Sequence, residues 1–370
     1  MSLVFDNIFN PQNWSAVPFH FWSLVFFAFG SIVGSFLNVC IYRMPLGLSV
    51  VSPPSHCPHC KYAIPFYLNI PLITWLALRG RCKNCGAGIS ARYFTVELLT
   101  GLAFLACWLA FGRHSAGLAL VYCLFLSGLI VATFIDFEHF IIPDEITLGG
   151  AVAGFIISCL LPQLHEARNF GEGLVRGAIG IAVGGGVVYA VLRLGKVLFG
   201  RQKIKLPGET TLVFTETALC LPDQTVPYEE IFYRKTDSIV LQAKTVELVD
   251  RGYRDVMVKL SPELLRIDDE QIDPETLACF EVVCSEIVLP REAMGLGDVK
   301  FMAAIGAFIG WQGALFSLLA SSLIGSVVGI SLIIARKREW SSRMPYGPYI
   351  AMAAVIWLFG GYKLFYALFP

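Results

Sequence analysis

Long apolar runs separated by short polar stretches set the pattern of this chain. Eight of them are predicted to be membrane-spanning helices, at 19–41, 95–112, 115–135, 145–162, 173–199, 298–310, 312–335 and 347–368. A span needs roughly 17–25 apolar residues. The sixth run falls short of that, and its boundary with the seventh is drawn at Gly310-Trp311-Gln312. One stretch breaks the pattern: residues 201–291 hold 28 of the chain's 56 charged residues, 11 basic and 17 acidic. Within it the runs Thr211-Leu212-Val213-Phe214 and Ser238-Ile239-Val240-Leu241 predict strands, and 260–265 and 274–283 predict short helices. The predicted fold class is a polytopic α-helical membrane protein of about eight transmembrane helices. It carries a polar loop after the first run and a small α+β or mostly β insert.

Composition agrees with the pattern. The chain of 370 residues is 56% hydrophobic and 15% charged, against about 25% charged in soluble domains; its mean hydropathy is +0.65. Net charge is zero, so no overall field attracts nucleic acid, and the lipid bilayer is the expected surrounding. The first Lys or Arg is Arg43, after the first apolar run. A secretory signal needs a positive segment before its apolar run, so a retained first helix is expected, with its N-terminus outside. Lys and Arg accumulate in cytoplasmic loops. The segment 42–94 carries Arg43, Lys61, Arg79, Arg81, Lys83 and Arg92, and 336–343 carries Arg336, Lys337, Arg338 and Arg343. Both are expected inside, and 163–172, with only Arg168 beside Glu166, outside. The resulting organisation is a first span over 1–42, a cytoplasmic cysteine region at 43–94, spans two to five within 95–200, the insert at 201–291, and spans six to eight within 292–370.

Three acidic residues then fall on the cytoplasmic side, though none was used to orient the chain. Asp298 lies behind two glycines in Gly295-Leu296-Gly297-Asp298, at the start of the sixth run; Asp136 ends the third run, and Asp144 follows Ile142-Pro143. Ionisable residues at membrane depth mark function by default. The dipole at a helix C-terminus disfavours the Asp136 carboxylate and that at an N-terminus favours Asp298. Two carboxylates brought together share a proton, so one serves as general base and the other as general acid. The structural alternatives are a helix N-cap at Asp298, a cap of the fourth helix by Asp144 with Thr147, and an interfacial charge at Asp136.

Eleven cysteines divide by setting. Cys57-x-x-Cys60 and Cys82-x-x-Cys85 have the spacing of a four-cysteine zinc site. The reducing cytoplasm argues against two disulfides, and four protein ligands close the site, so its role is structural. A redox pair is the alternative. Cys40, Cys107, Cys123 and Cys159 sit in apolar runs as small core residues. Cys220, Cys279 and Cys284 are ordinary thiols of the insert. In Gly34-Ser35-Phe36-Leu37-Asn38 the small residues suit close helix packing, with Asn38 bonding across helices. Gly184-Gly185-Gly186 sits inside an apolar run, where packing is a better reading than a phosphate loop. Pro345-Tyr346-Gly347-Pro348 reads as a turn into the last helix.

As an ordered set these segments resemble the type IV prepilin peptidases that are also N-methyltransferases. The matching stretches are Gly34 to Pro45, the two C-x-x-C pairs, Asn69-Ile70-Pro71-Leu72, Leu78-Arg79-Gly80-Arg81-Cys82, Ile89 to Tyr93, Val96 to Gly101, Ile135-Asp136, Ile142-Pro143-Asp144, Gly295 to Lys300, and Pro345 to Pro348. The resemblance covers nearly everything outside 201–291. It implies a multi-pass bacterial inner-membrane aspartic peptidase whose active site faces the cytoplasm. Such an enzyme cuts the basic leader from type IV prepilins and type II secretion pseudopilins after glycine. It then methylates the new N-terminal amine with S-adenosyl-L-methionine. It implies Asp136 and Asp298 as the catalytic pair, and it assigns no residue to the methyl donor. Phe94 stands where relatives commonly have proline, and the insert is absent from the usual pattern; it is open to a regulatory or recognition role and equally to being a tolerated insertion. Other enzymes with a Gly-x-Gly-Asp motif that cut inside membrane helices are a second enzymatic reading. A zinc-stapled scaffold is a non-enzymatic one, and a transporter a weaker one.

Overall fold

The computed structural model describes residues 17–222, 224–232, 237–248, 250–290, 295–335 and 344–368. The chain divides into two compact units, Met1–Val188 with Leu296–Pro370, and Tyr189–Gly295. The first is helical, with α1 (Phe19–Arg43), α2 (Ala91–Phe111), α3 (Ala116–His139), α4 (Asp144–Leu160), α5 (Phe170–Phe199, which runs on into the second unit), α6 (Leu296–Ile334), α7 (Gly347–Ile356) and α8 (Tyr362–Leu368). Six helices among the described residues are long and apolar enough to cross a membrane: Phe19–Leu46, Ala91–Phe111, Ala116–His139, Phe170–Lys196, Leu296–Ile334 and Gly347–Ala367. The difference from eight has two sources. α4 has 17 residues, about 26 Å at 1.5 Å per residue, just under a ~30 Å hydrocarbon core. The sixth and seventh predicted runs are joined in α6, whose 39 residues contain one non-helical position, Gly310 at φ 73° and ψ 177°. The sequence boundary thus falls on a real break. It takes glycine because φ is positive. Beside it, His165 Nε2 lies 3.0 Å from the Ala307 carbonyl oxygen. The basic run 336–343 lies outside the described residues.

Small residues let the helices approach. A Cβ built on Gly34 of α1 would lie 2.8 Å from Glu97 Cα of α2, and one on Gly30 2.8 Å from Phe104 Cβ. Asn38 spans the same pair, its Nδ2 donating to Tyr93 O at 3.1 Å. Lipid offers no hydrophobic drive between helices, so such contacts and hydrogen bonds hold them together. The glycine run of α5 does the same against α6: a Cβ on Gly184 would overlap the Met302 carbonyl and one on Gly185 would meet Ala303 Cβ at 3.3 Å, whereas Gly186 faces open space. Cys40, Cys107, Cys123 and Cys159 are buried thiols.

The second unit carries an antiparallel sheet of β1 (Arg201–Thr215), β2 (Ala218–Cys220), β3 (Thr225–Pro227), β4 (Ile239–Glu247), β5 (Gly252–Leu260), β6 (Leu265–Ile267), β7 (Glu270–Ile272) and β8 (Cys279–Pro290), in the order β3-β2-β1-β8-β4-β5-β6-β7. The expected strands at Thr211 and Ile239 lie in β1 and β4. The two expected helices are corrected. At 260–265 the chain turns from β5 into β6: Ser261 and Leu264 exchange backbone hydrogen bonds around Pro262, and Leu260 and Leu265 both enter the core. At 274–283 only Pro274–Thr276 is helical, as a single 3-10 turn, before β8 begins. Phe280, Val282 and Cys284 are buried in alternation, a period of two that belongs to a strand and not to the expected helix. The core stacks Phe214 on Phe280 with centroids 4.7 Å apart.

Candidate functional site

Asp136 lies three residues before the C-terminus of α3 and is 5% exposed. Its own helix presents the negative end of a dipole to it. The fold adds a positive end: the backbone N–H of Gly347, the first residue of α7, donates to Asp136 Oδ2 at 2.8 Å. Among the described residues this is the one hydrogen bond to the Asp136 carboxylate. The Gly347 amide adds a donor to the contrast expected from opposite helix ends, in which Asp136 closes one helix and Asp298 opens another. Asp136 sits between the C-terminus of one helix and the N-terminus of another. Pro348 follows and has no N–H, which suits it to the first turn of a helix and leaves the Gly347 amide to the carboxylate. Sequence reasoning missed this, since the Pro-Tyr-Gly-Pro segment read only as a turn. The one signal was a glycine between two prolines.

Asp298 is the third residue of α6, in its first turn. That position is inside the helix, so Asp298 is not its N-cap. A Cβ on the preceding Gly297 would meet Ile142 Cβ at 3.7 Å, and one on Gly347 would meet Ile142 Cδ1 at 3.1 Å. Ile142 thus touches both the chain neighbour of Asp298 and the amide partner of Asp136. Its own position follows from Phe140, which ends α3 in a left-handed conformation (φ 55°) and turns the chain toward α4. Asp144 is the first residue of α4, one past its N-cap Pro143; among the described residues its carboxylate takes no backbone N–H of that helix. It accepts instead from Lys300 Nζ at 2.7 Å, so an ion pair ties the first turn of α4 to the second turn of α6. The α3–α4 connection and the start of α6 are joined at two places.

The cysteines form a second constellation. Cys57 N–H donates to Tyr62 O and Lys61 N–H to Cys57 O; Cys82 N–H donates to Ala87 O and Gly86 N–H to Cys82 O. The two C-x-x-C segments therefore fold as matching knuckles. The residue after each second cysteine is left-handed, Lys61 at φ 57° and Gly86 at φ 72°. All four sulfurs lie within 4.8 Å of one another, and Cys57 and Cys85 are 3.8 Å apart. A tetrahedron with metal–sulfur bonds of about 2.3 Å has edges of about 3.8 Å. Hydrogen bonds from the Asn84 side chain and the Tyr62 backbone pull the Cys60 thiol down to about 6. Cys85, although the Ala87 backbone lowers it, is pushed up to about 11 by desolvation and by its three thiol neighbours. Without a cation the cluster resists holding four negative charges. A divalent ion removes that conflict, so the donor set fits a metal.

Glu97 of α2 is buried and accepts from Leu72 N–H at 2.7 Å, which fastens the loop after the first knuckle to the membrane helices. Arg92 pairs with Glu138, joining the start of α2 to the end of α3.

Comparison with known proteins places these features. Residues 28–111 match the family model of the bacterial peptidase A24 N-terminal domain. Residues 123–206 and 275–330 match that of the type IV leader peptidase family. The unmatched stretch between the last two falls within the sheet. A prepilin leader peptidase/N-methyltransferase of Myxococcus xanthus (strain DK1622) is 41% identical over 328 residues, covering 88% of this chain and 68% of the relative. One from Aeromonas hydrophila is 29% identical over 372 residues, covering 93% and 92%. No solved structure matches. With paired acidic segments at the ends of membrane helices, a four-cysteine cluster and these relatives, the chain belongs to the type IV leader peptidase family.

Proposed function

We propose that the protein is a bifunctional membrane enzyme that cleaves the basic leader of type IV prepilins and type II secretion pseudopilins after glycine and then N-methylates the new terminus. The names of the relatives support both activities and favour them over cleavage inside a membrane helix or a scaffold role. The observation that carries the peptidase site is the convergence of the Asp136 and Asp298 segments on Ile142. Asp136 and Asp298 are the catalytic carboxylates. One takes a proton from water as its oxygen attacks the carbonyl carbon of the scissile glycine. The other gives its proton to the carbonyl oxygen. Collapse of the tetrahedral intermediate then breaks the C–N bond, and the leaving nitrogen takes up a proton. A glycine before the cut allows the close backbone approach this needs.

Eight spans orient the site to the cytoplasm, with α4 as one and α6 counted as two across Gly310. A prepilin keeps its apolar helix in the bilayer and its leader in the cytoplasm, so a site at that face meets the junction. Cys57, Cys60, Cys82 and Cys85 hold a structural zinc ion that fixes the loop. S-adenosyl-L-methionine supplies the methyl group in the second reaction. The test is cleavage of purified prepilin by the detergent-solubilised protein. Asp136→Asn and Asp298→Asn are each expected to lose cleavage while keeping zinc content and folding. Undiminished cleavage in either removes that residue from the pair.

A further inference from the structure

The Gly347 amide reaches Asp136 from a segment that has its own anchor. Residues 344–346 are not helical, yet they run beside α6 before α7 begins. Met344 packs on Gly329, where a Cβ would lie 3.0 Å from its methyl carbon. Tyr346 and Tyr349 pack on Gly325, at 3.8 and 3.4 Å by the same measure. Non-helical backbone beside a membrane helix persists where protein packs on it and satisfies its polar groups.

One polar contact fixes this segment to α6. The Tyr346 hydroxyl lies 3.0 Å from Ser321 Oγ and 2.9 Å from Ser322 Oγ. Both serine hydroxyls also reach the Leu318 carbonyl, each at 2.9 Å. Three hydroxyl hydrogens face four contacts, so any arrangement that fills three of them leaves the Tyr346 oxygen in at least one hydrogen bond. Ser321 is fully buried, where such bonds strengthen.

The other end of the same residue is fixed too. The Tyr346 carbonyl accepts from Tyr349 N–H at 3.1 Å and Ile350 N–H at 3.2 Å, starting α7. A trans peptide is planar, with its N–H opposed to its C=O. Holding the carbonyl in α7 therefore aims the Gly347 N–H away from that helix, onto Asp136 Oδ2. Side chain and carbonyl together set one peptide plane, and that plane sets which carboxylate oxygen is occupied.

We propose that Tyr346 is a positioning residue for leader cleavage. Tethered to Ser321 and Ser322, it holds the Gly347 amide on Asp136 Oδ2 and so presents Oδ1 to the attacking water. This rests on Asp136 being one of the catalytic carboxylates. The tether lies on the face of Asp136 occupied by α7, so its loss changes the geometry of attack and leaves leader recognition intact. A loss confined to the transition state lowers kcat and kcat/KM together.

The test compares full-length Tyr346→Phe, which keeps the ring and removes one oxygen, with Ser321→Ala/Ser322→Ala and with the triple variant. Each is expected to cleave prepilin with kcat about tenfold lower and KM within about twofold of wild type, and the triple variant no worse than the others, because all break one tether. Methylation of a pre-cleaved pilin by the same preparations serves as the folding control and is expected unchanged. Wild-type kcat in Tyr346→Phe overturns the proposal, as does a raised KM at constant kcat, additive losses in the triple variant, or equal loss of methylation. Asp136→Asn is assayed alongside. If it still cleaves, the catalytic pair itself is wrong; if it is inactive while Tyr346→Phe is normal, only the tether is refuted.

Discussion

Gly347 has no room for a side chain: a Cβ there would lie 2.8 Å from Asp136 Oδ2 and 3.1 Å from Ile142 Cδ1. The first of those atoms also receives its N–H, so any added carbon pushes the carboxylate off its donor. A displacement of about 1 Å at a reacting group costs on the order of a hundredfold in rate. Gly347→Ala is therefore expected to lower prepilin cleavage by about that factor while shifting the melting temperature in detergent only slightly; near-normal turnover would show that the carboxylate tolerates a shift. Asp136 and Asp298 stand out as candidates in the sequence because ionisable residues at membrane depth are rare and need a reason. Gly347 was not, because its contribution is a backbone N–H, which every residue but proline carries. The Lys300–Asp144 pair was hidden for a similar reason: the two residues are distant in sequence, and the cap motif at Asp144 offered a local explanation that the fold does not use.

Helices here meet through registers of small residues, and the register decides which glycines matter. Gly184 and Gly186 belong to one glycine run on one helix, yet a Cβ on Gly184 would overlap the Met302 carbonyl of α6 while one on Gly186 meets nothing within 4 Å. Gly184→Ala is expected to destabilise the protein by about 1–3 kcal/mol through overpacking. Gly186→Ala is expected to be neutral or to stabilise by up to about 1 kcal/mol, since alanine outranks glycine in helix interiors. Thermal denaturation in detergent checks both, and equal effects would refute the register. Sequence reasoning identified the packing role of the run but not its facing direction, because every residue around it is apolar and gives no polar side to orient the helix. For the same lack of contrast, the boundary inside α6 is marked by one residue, Gly310, among its 39. In the polar insert the alternation is clear along the long strands, and the errors fell at 260–265 and 274–283, where the chain turns and enters a strand instead of forming a helix.

At the scale of the whole molecule, the insert enters and leaves at one place. Arg201 pairs with Pro290, and Ile204 with Ile287, as neighbours on β1 and β8. Paired antiparallel residues stand about 4.5–5.5 Å apart at Cα, so the chain leaves the sheet almost where it entered. The sheet has its own core, from Leu212 and Phe214 to Val282 and Ile287. Each contact described around Asp136, Asp144 and the cysteines lies within the helical unit. An insertion with adjacent ends and an independent core can be removed without stretching the chain that carries it. Joining Ile204 to Ile287 through an Asn-Gly turn, which suits a two-residue hairpin, is expected to leave a folded membrane protein with its metal content unchanged and prepilin cleavage within about threefold of wild type, roughly 0.7 kcal/mol in transition-state terms. Cleavage kinetics and zinc analysis of the shortened protein decide it. A loss of cleavage with zinc and thermal stability retained would make the sheet part of the peptidase, acting on the substrate; retained cleavage confines the peptidase chemistry to the helices, where the two aspartates lie.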